Sequence, residues 1–67
     1  MKFTLTDDYI ELYKLIKVLD LVDSGAEAKL LIADGNVYRN GVLELRKRAK
    51  IEKGEIITIA EVSIEVV

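Results

Sequence analysis

Cysteine, histidine and proline are absent from this 67-residue chain. Without cysteine there is no disulfide, no zinc finger, no iron–sulfur cluster and no thiol nucleophile. Without histidine the chain lacks the commonest general base and metal ligand, and the one side chain that ordinarily titrates near neutral pH. Long apolar runs are missing too. The opening MKFTLTDDY meets acidic residues at once, which fits neither a signal peptide nor a membrane span and makes the cytoplasm the default location. Low-complexity tracts and internal repeats are likewise absent, and no Gly-rich phosphate loop of the P-loop or dinucleotide type occurs.

What is present points to a folded chain. Hydrophobic residues make up 51% of it, enough for a core, and residues 1–67 are expected to form one small domain. Folding buries only about 60% of the surface at this size, so stability is expected to be marginal. Net charge is −2 but unevenly spread. Residues 29–53 hold seven cations (Lys29, Arg39, Arg46, Lys47, Arg48, Lys50, Lys53) against Asp34, Glu44 and Glu52, a local +4; three cations and nine carboxylates elsewhere leave the remainder at −6. A basic patch on an acidic body points to a polyanionic partner.

Local patterns place the elements. Alternation over 2–5 suits a short strand. Thr6 is a plausible N-cap, and Asp7, Asp8 and Glu11 put negative charge in a first helical turn; that reading is preferred to a magnesium site. Tyr9, Leu12, Tyr13, Ile16 and Leu19 follow at helical spacing, so a helix is expected over 7–20 with both tyrosines packing on the core. Ser24-Gly25-Ala26-Glu27 has the form of a capping box opening a second helix that stops at Gly35. Asn40-Gly41 between VYR and VLE is a hairpin signal. Leu45, Ala49 and Ile51 alternate with Arg46, Arg48 and Lys50 as in an extended segment, with Lys47 the exception. Strands follow at 56–59 and 62–66, with Ala60-Glu61 undecided between a turn and a straight run. The fold class is α+β: two packed helices on a small twisted, mainly antiparallel sheet of three to five strands.

The run SGAEAKLLIADGNVYRNGVLELRKRAKIEKGE resembles the RNA-binding domain named after ribosomal protein S-four, the αL motif, and most closely its small stand-alone bacterial members, the YbcJ- and YaaA-like branch. The resemblance covers about residues 3–67 and implies structured RNA as partner, with ribosomal RNA or ribosome assembly the first candidate. Carried over residue by residue, Ser24 and Gly25 occupy the helix start, Lys29 lies one turn on, Asn40-Gly41 is the hairpin tip, and Arg46, Lys47, Arg48 and Lys50 form the basic segment. Two departures stand out: Gly25 sits where many larger members have arginine, and Arg39 replaces an apolar strand residue, enlarging the basic surface or costing packing.

Each residue also has a plainer reading. Ser24 can simply cap its helix, although a helix N-terminus also suits a phosphate that Gly25 lets approach. Small Ala26 and Ala33 beside Lys29 leave room for a partner. The cations of LRKRAK have too few carboxylates beside them in sequence to be explained as a solvated strand face. Of the aromatics only Tyr38 falls among the cations, which favours phosphate and shape recognition over base stacking. No cofactor, metal or small-molecule substrate is expected, and Ser24 and Ser63 have no histidine to activate them. The reading is thus a non-enzymatic, monomeric RNA-binding protein. Its alternative is a protein-interaction module whose last strand, EVSIEVV, augments the sheet of a partner or of a second copy of itself.

Overall fold

The computed structural model describes residues 1–67. In chain order the elements are β1 (Lys2–Phe3), β2 (Ile10–Glu11), α1 (Leu12–Val18), α2 (Gly25–Ala33), β3 (Val37–Arg39), β4 (Val42–Leu43), β5 (Lys50–Ile51), β6 (Ile56–Ile59) and β7 (Val62–Val66). Five strands form one sheet in the order β1-β7-β6-β3-β4, antiparallel except for β1 beside β7; β2 and β5 form a separate antiparallel ribbon. The α+β class, with two helices and a mainly antiparallel sheet whose five strands fall within the expected three to five, is as the sequence predicts; the separate β2–β5 ribbon is not.

Alternation sets the inner face of the sheet. Val37, Ile57, Ile59, Ile64 and Val66 are buried, while Tyr38, Ser63 and Glu65 between them face outward. Ile57 lies opposite Ile64 and Val37 opposite Ile59, so the apolar rows continue across strands. Both hairpins are tight. Asn40 and Gly41 take φ of 51° and 83°, the pair of positive values that a type I′ turn requires. Ala60, left undecided above, turns the chain with φ of 52°, and Ile59 pairs directly with Val62.

Helix α2 begins and ends as its local signals dictate. The Ser24 hydroxyl accepts from the Glu27 amide at 3.2 Å. Past the other end, Gly35 at φ 83° lets the amides of Gly35 and Asn36 donate to Ile32 and Leu31, a Schellman closure. Ala28 and Ile32 face the core, with Leu31 beside them half-buried. Helix α1, by contrast, is shorter than expected. It starts at Leu12 rather than residue 7, and Thr6, Asp7 and Asp8 form a loop instead of a cap and first turn. The reason is long-range: Ile10 and Glu11 are held extended by pairing with Ile51 and Lys50, and that pairing overrides the local helix signal. Leu12, Leu15 and Ile16 of α1 then complete the core.

A second correction concerns the last strand. β7 lies inside the sheet, with β6 on one edge and β1 on the other, so it has no free edge with which to augment a partner. No helix is long and apolar enough to cross a membrane.

Candidate nucleic-acid interface

The basic segment is built onto the start of α1. The first two helical amides, which no preceding turn can satisfy, donate to the carbonyls of the basic loop: Leu12 to Ala49 at 2.9 Å and Tyr13 to Lys47 at 3.0 Å. Glu11 pairs with Lys50 in the ribbon just before them. The segment is therefore not the extended run its alternation suggests. Lys47 and Arg48 form a turn, only Lys50–Ile51 is strand, and Leu45 is exposed. Ala49 and Ile51 do turn inward, which leaves Arg46, Lys47, Arg48 and Lys50 outside.

Tyr13 joins this loop to α2. Its ring packs partly on the core, and three cations gather around it: Lys29 from α2 at 4.7 Å, Arg48 from the loop at 5.6 Å and Lys14 at 5.9 Å from the ring centre. A ring quadrupole attracts cations to its face, so the tyrosine draws charges from separate elements to one place. Gly25 lies against the same ring; a Cβ there would sit 3.7 Å from a Tyr13 ring carbon, an ordinary contact. Its backbone is helical, so the glycine is not needed for conformation and instead leaves the first turn of α2 open beside the cations. Tyr9 is exposed, with Lys50 5.1 Å from its ring centre. Tyr13 thus packs on the core as its stripe position predicts while also facing cations, whereas Tyr9, expected to pack, is exposed beside Lys50.

The remaining predicted residues divide in two. Lys29, Lys47 and Lys50 have no carboxylate within 4 Å. Arg39 and Asn40 are committed within the fold. Arg39 grips Glu55 through two hydrogen bonds of 2.5 and 3.0 Å, donates to the Lys50 carbonyl at 2.9 Å, and reaches Glu44 at 3.4 Å. The Asn40 side chain accepts from the Ile56 amide at 2.9 Å and donates to Glu55 at 3.2 Å. Arg46 leans on buried Glu44, which accepts from its amide and guanidinium at 3.0 to 3.1 Å. Those bonds hold the Glu44 carboxyl at about 2 against the opposing effect of burial. Glu55 is likewise held below the usual carboxylate range, chiefly by Arg39. Arg39, Arg46, Arg48, Ala49 and Lys50 line an open concavity of about 570 Å³.

The fold, the α2 start and the basic loop match one protein family. The family model described as the S4 domain matches residues 3–67. The chain belongs to the S4 domain family. It is 42% identical over 59 residues to YbcJ of Escherichia coli K12, covering 88% of this chain and 84% of the relative, whose name gives it provisionally as an RNA-binding protein. An uncharacterized YbcJ from Shigella flexneri matches to the same extent. The solution structure of the E. coli protein superimposes with a TM-score of 0.75 at 40% identity, over 98% of this chain and 85% of that one; it is described as having an αL motif involved in RNA binding.

In this S4 domain, Gly25, Lys29 and Arg48 lie against the Tyr13 ring and Lys50 against Tyr9, Ser24 caps α2, the Lys47 carbonyl meets the Tyr13 amide, and Arg39, Asn40 and Arg46 brace the hairpin and the loop. Sequence reasoning missed Tyr13 and Lys14. Tyr13 falls on an apolar stripe, and the stripe gives no hint that residues 29 and 48 come to meet it. Tyr-Lys beside an N-terminal Glu was the one available signal.

Proposed function

We propose that this S4 domain is a non-enzymatic RNA-binding module for structured RNA, with ribosomal RNA the first candidate, acting as a cytoplasmic monomer. The observation that carries the reading is the meeting of Lys29 and Arg48 over one tyrosine ring, 4.7 and 5.6 Å from its centre. That contact sets the open N-terminus of α2 beside the basic loop, an arrangement suited to phosphates on neighbouring turns of an RNA. Docking is electrostatic: lysine and arginine neutralise phosphates and release their counterions.

The test is a salt series with ribosomal RNA fragments. If Lys29, Lys47, Arg48 and Lys50 each meet a phosphate, log affinity falls against log salt with a slope of roughly −2.8 to −3.6. Replacing Lys29, Lys47 and Arg48 together by alanine leaves a slope of about −0.7 to −0.9. A flat slope in the parent protein sinks the reading. Arg46 is left alone in this design, because replacing it strands the buried carboxylate of Glu44 and confounds binding with stability.

A further inference from the structure

We infer that Lys14, Lys29 and Arg48, gathered round the Tyr13 ring, form a phosphate site that Glu11 occupies while the protein is free of RNA. The inference rests on the RNA reading above and extends the interface to α1. Glu11 stands at the N-cap position of α1 with extended backbone, φ −67° and ψ 139°, yet its side chain makes no capping bond. The carboxylate instead bridges two elements: Oε1 lies 3.1 Å from Lys14 Nζ, and Oε2 lies 3.8 Å from a terminal guanidinium nitrogen of Arg48. Its backbone pairing with Lys50 does not involve the carboxylate. The side chain therefore engages only these two cations.

The chemistry of the site favours an exchangeable occupant. Three cations drawn to one ring repel each other, and a carboxylate fixed between two of them serves as a built-in counterion. The hydrogen bond from Lys14 to Glu11 holds the lysine above its usual value and so keeps it charged. Lys29 has no carboxylate within 4 Å, so a single negative group does not satisfy the cluster. A phosphodiester carries the same charge as Glu11 and offers two acceptor oxygens, so it replaces the carboxylate between Lys14 and Arg48 without a new imbalance; the next phosphate along the strand then meets Lys29. Both cations are free to follow, since the Lys14 and Arg48 side chains are 56% and 66% exposed while Glu11 is held at 20%.

Three variants test this with the ribosomal RNA fragments used for the salt series. Glu11→Gln removes the competing charge, and RNA affinity rises roughly threefold to tenfold at physiological salt. Its salt slope stays at the parent's value, because the same cations neutralise the same phosphates whether or not Glu11 is charged. Asp8→Asn removes an equal charge three residues away that engages no cation, and it leaves affinity within about twofold of the parent. Lys14→Gln, at an exposed helical position, lowers affinity and flattens the slope by about 0.7 to 0.9. Equal effects of Glu11→Gln and Asp8→Asn, or unchanged binding in Lys14→Gln, overturn the assignment while leaving the RNA reading in place. A parent protein that binds no RNA at any salt concentration overturns both.

Discussion

Arg39 spends four hydrogen bonds on its own chain, two to Glu55, one to Glu44 and one to the Lys50 carbonyl. A planar guanidinium serves this geometry and an ammonium does not, because the two bonds to Glu55 are parallel. Arg39→Ala takes the guanidinium from Glu55, which keeps only the Asn40 amide and the Glu52 N–H, and removes one of the donors to buried Glu44, so urea unfolding should show a loss of about 2–3 kcal/mol. Arg39→Lys recovers only part of it. Ala60 shows strain of a different kind. A left-handed backbone costs a Cβ-bearing residue about 1–2 kcal/mol, of which glycine would return part by loosening the unfolded chain. Ala60→Gly should therefore raise stability by about 0.5–1 kcal/mol, read as a melting temperature higher by roughly 2–8 °C.

Among the elements, the loop after β4 carries the larger part of the pH dependence, with Glu55 before β6 adding to it in the same direction. Glu44 lies at about 2 in the fold against 4.5 for the free side chain, with the hydrogen bonds from Arg46 the largest cause. A lowered carboxyl contributes stability that is complete above 4.5 and disappears as pH falls toward 2. Because Arg46 is 74% exposed and solvent weakens the pair, the contribution is about 1–3 kcal/mol rather than the full shift. Stability measured by urea at successive pH values should be level from 7 to about 5 and fall below that; Glu44→Gln should be weaker at neutral pH and fall less steeply in acid. How far each element was legible follows the range of its contacts. Ser24 and Gly35 delimit α2 through bonds to residues three to five places away, and Asn40-Gly41 carries its own turn preference, so these read correctly from sequence. The start of α1 did not, because Glu11 answers to Lys50 and Leu12 to Ala49, partners that no local window contains. The same blindness hid Tyr13: its stripe position was visible, its two distant cations were not.

For the whole molecule, no cross-link supplements the core, so burial carries the stability. A chain of 67 residues is worth about 3–10 kcal/mol in total. Ile16 is fully buried, and Ile16→Ala costs about 2–5 kcal/mol, so circular dichroism should find the variant partly unfolded at 37 °C. The charge layout works at this scale too, since an acidic whole with one basic face orients itself toward a polyanion before contact and loses that advantage as salt rises. The amides of Leu12 and Tyr13 tie α1 to carbonyls more than thirty residues away. Their exposure to solvent deuterium therefore reports on the basic loop rather than on the helix to which they belong: when the loop lifts, these two hydrogens exchange first, and whatever clamps the loop slows them. Two protons on the first helix thus become a clock for events at Lys47 and Ala49, readable by NMR without labelling the loop itself.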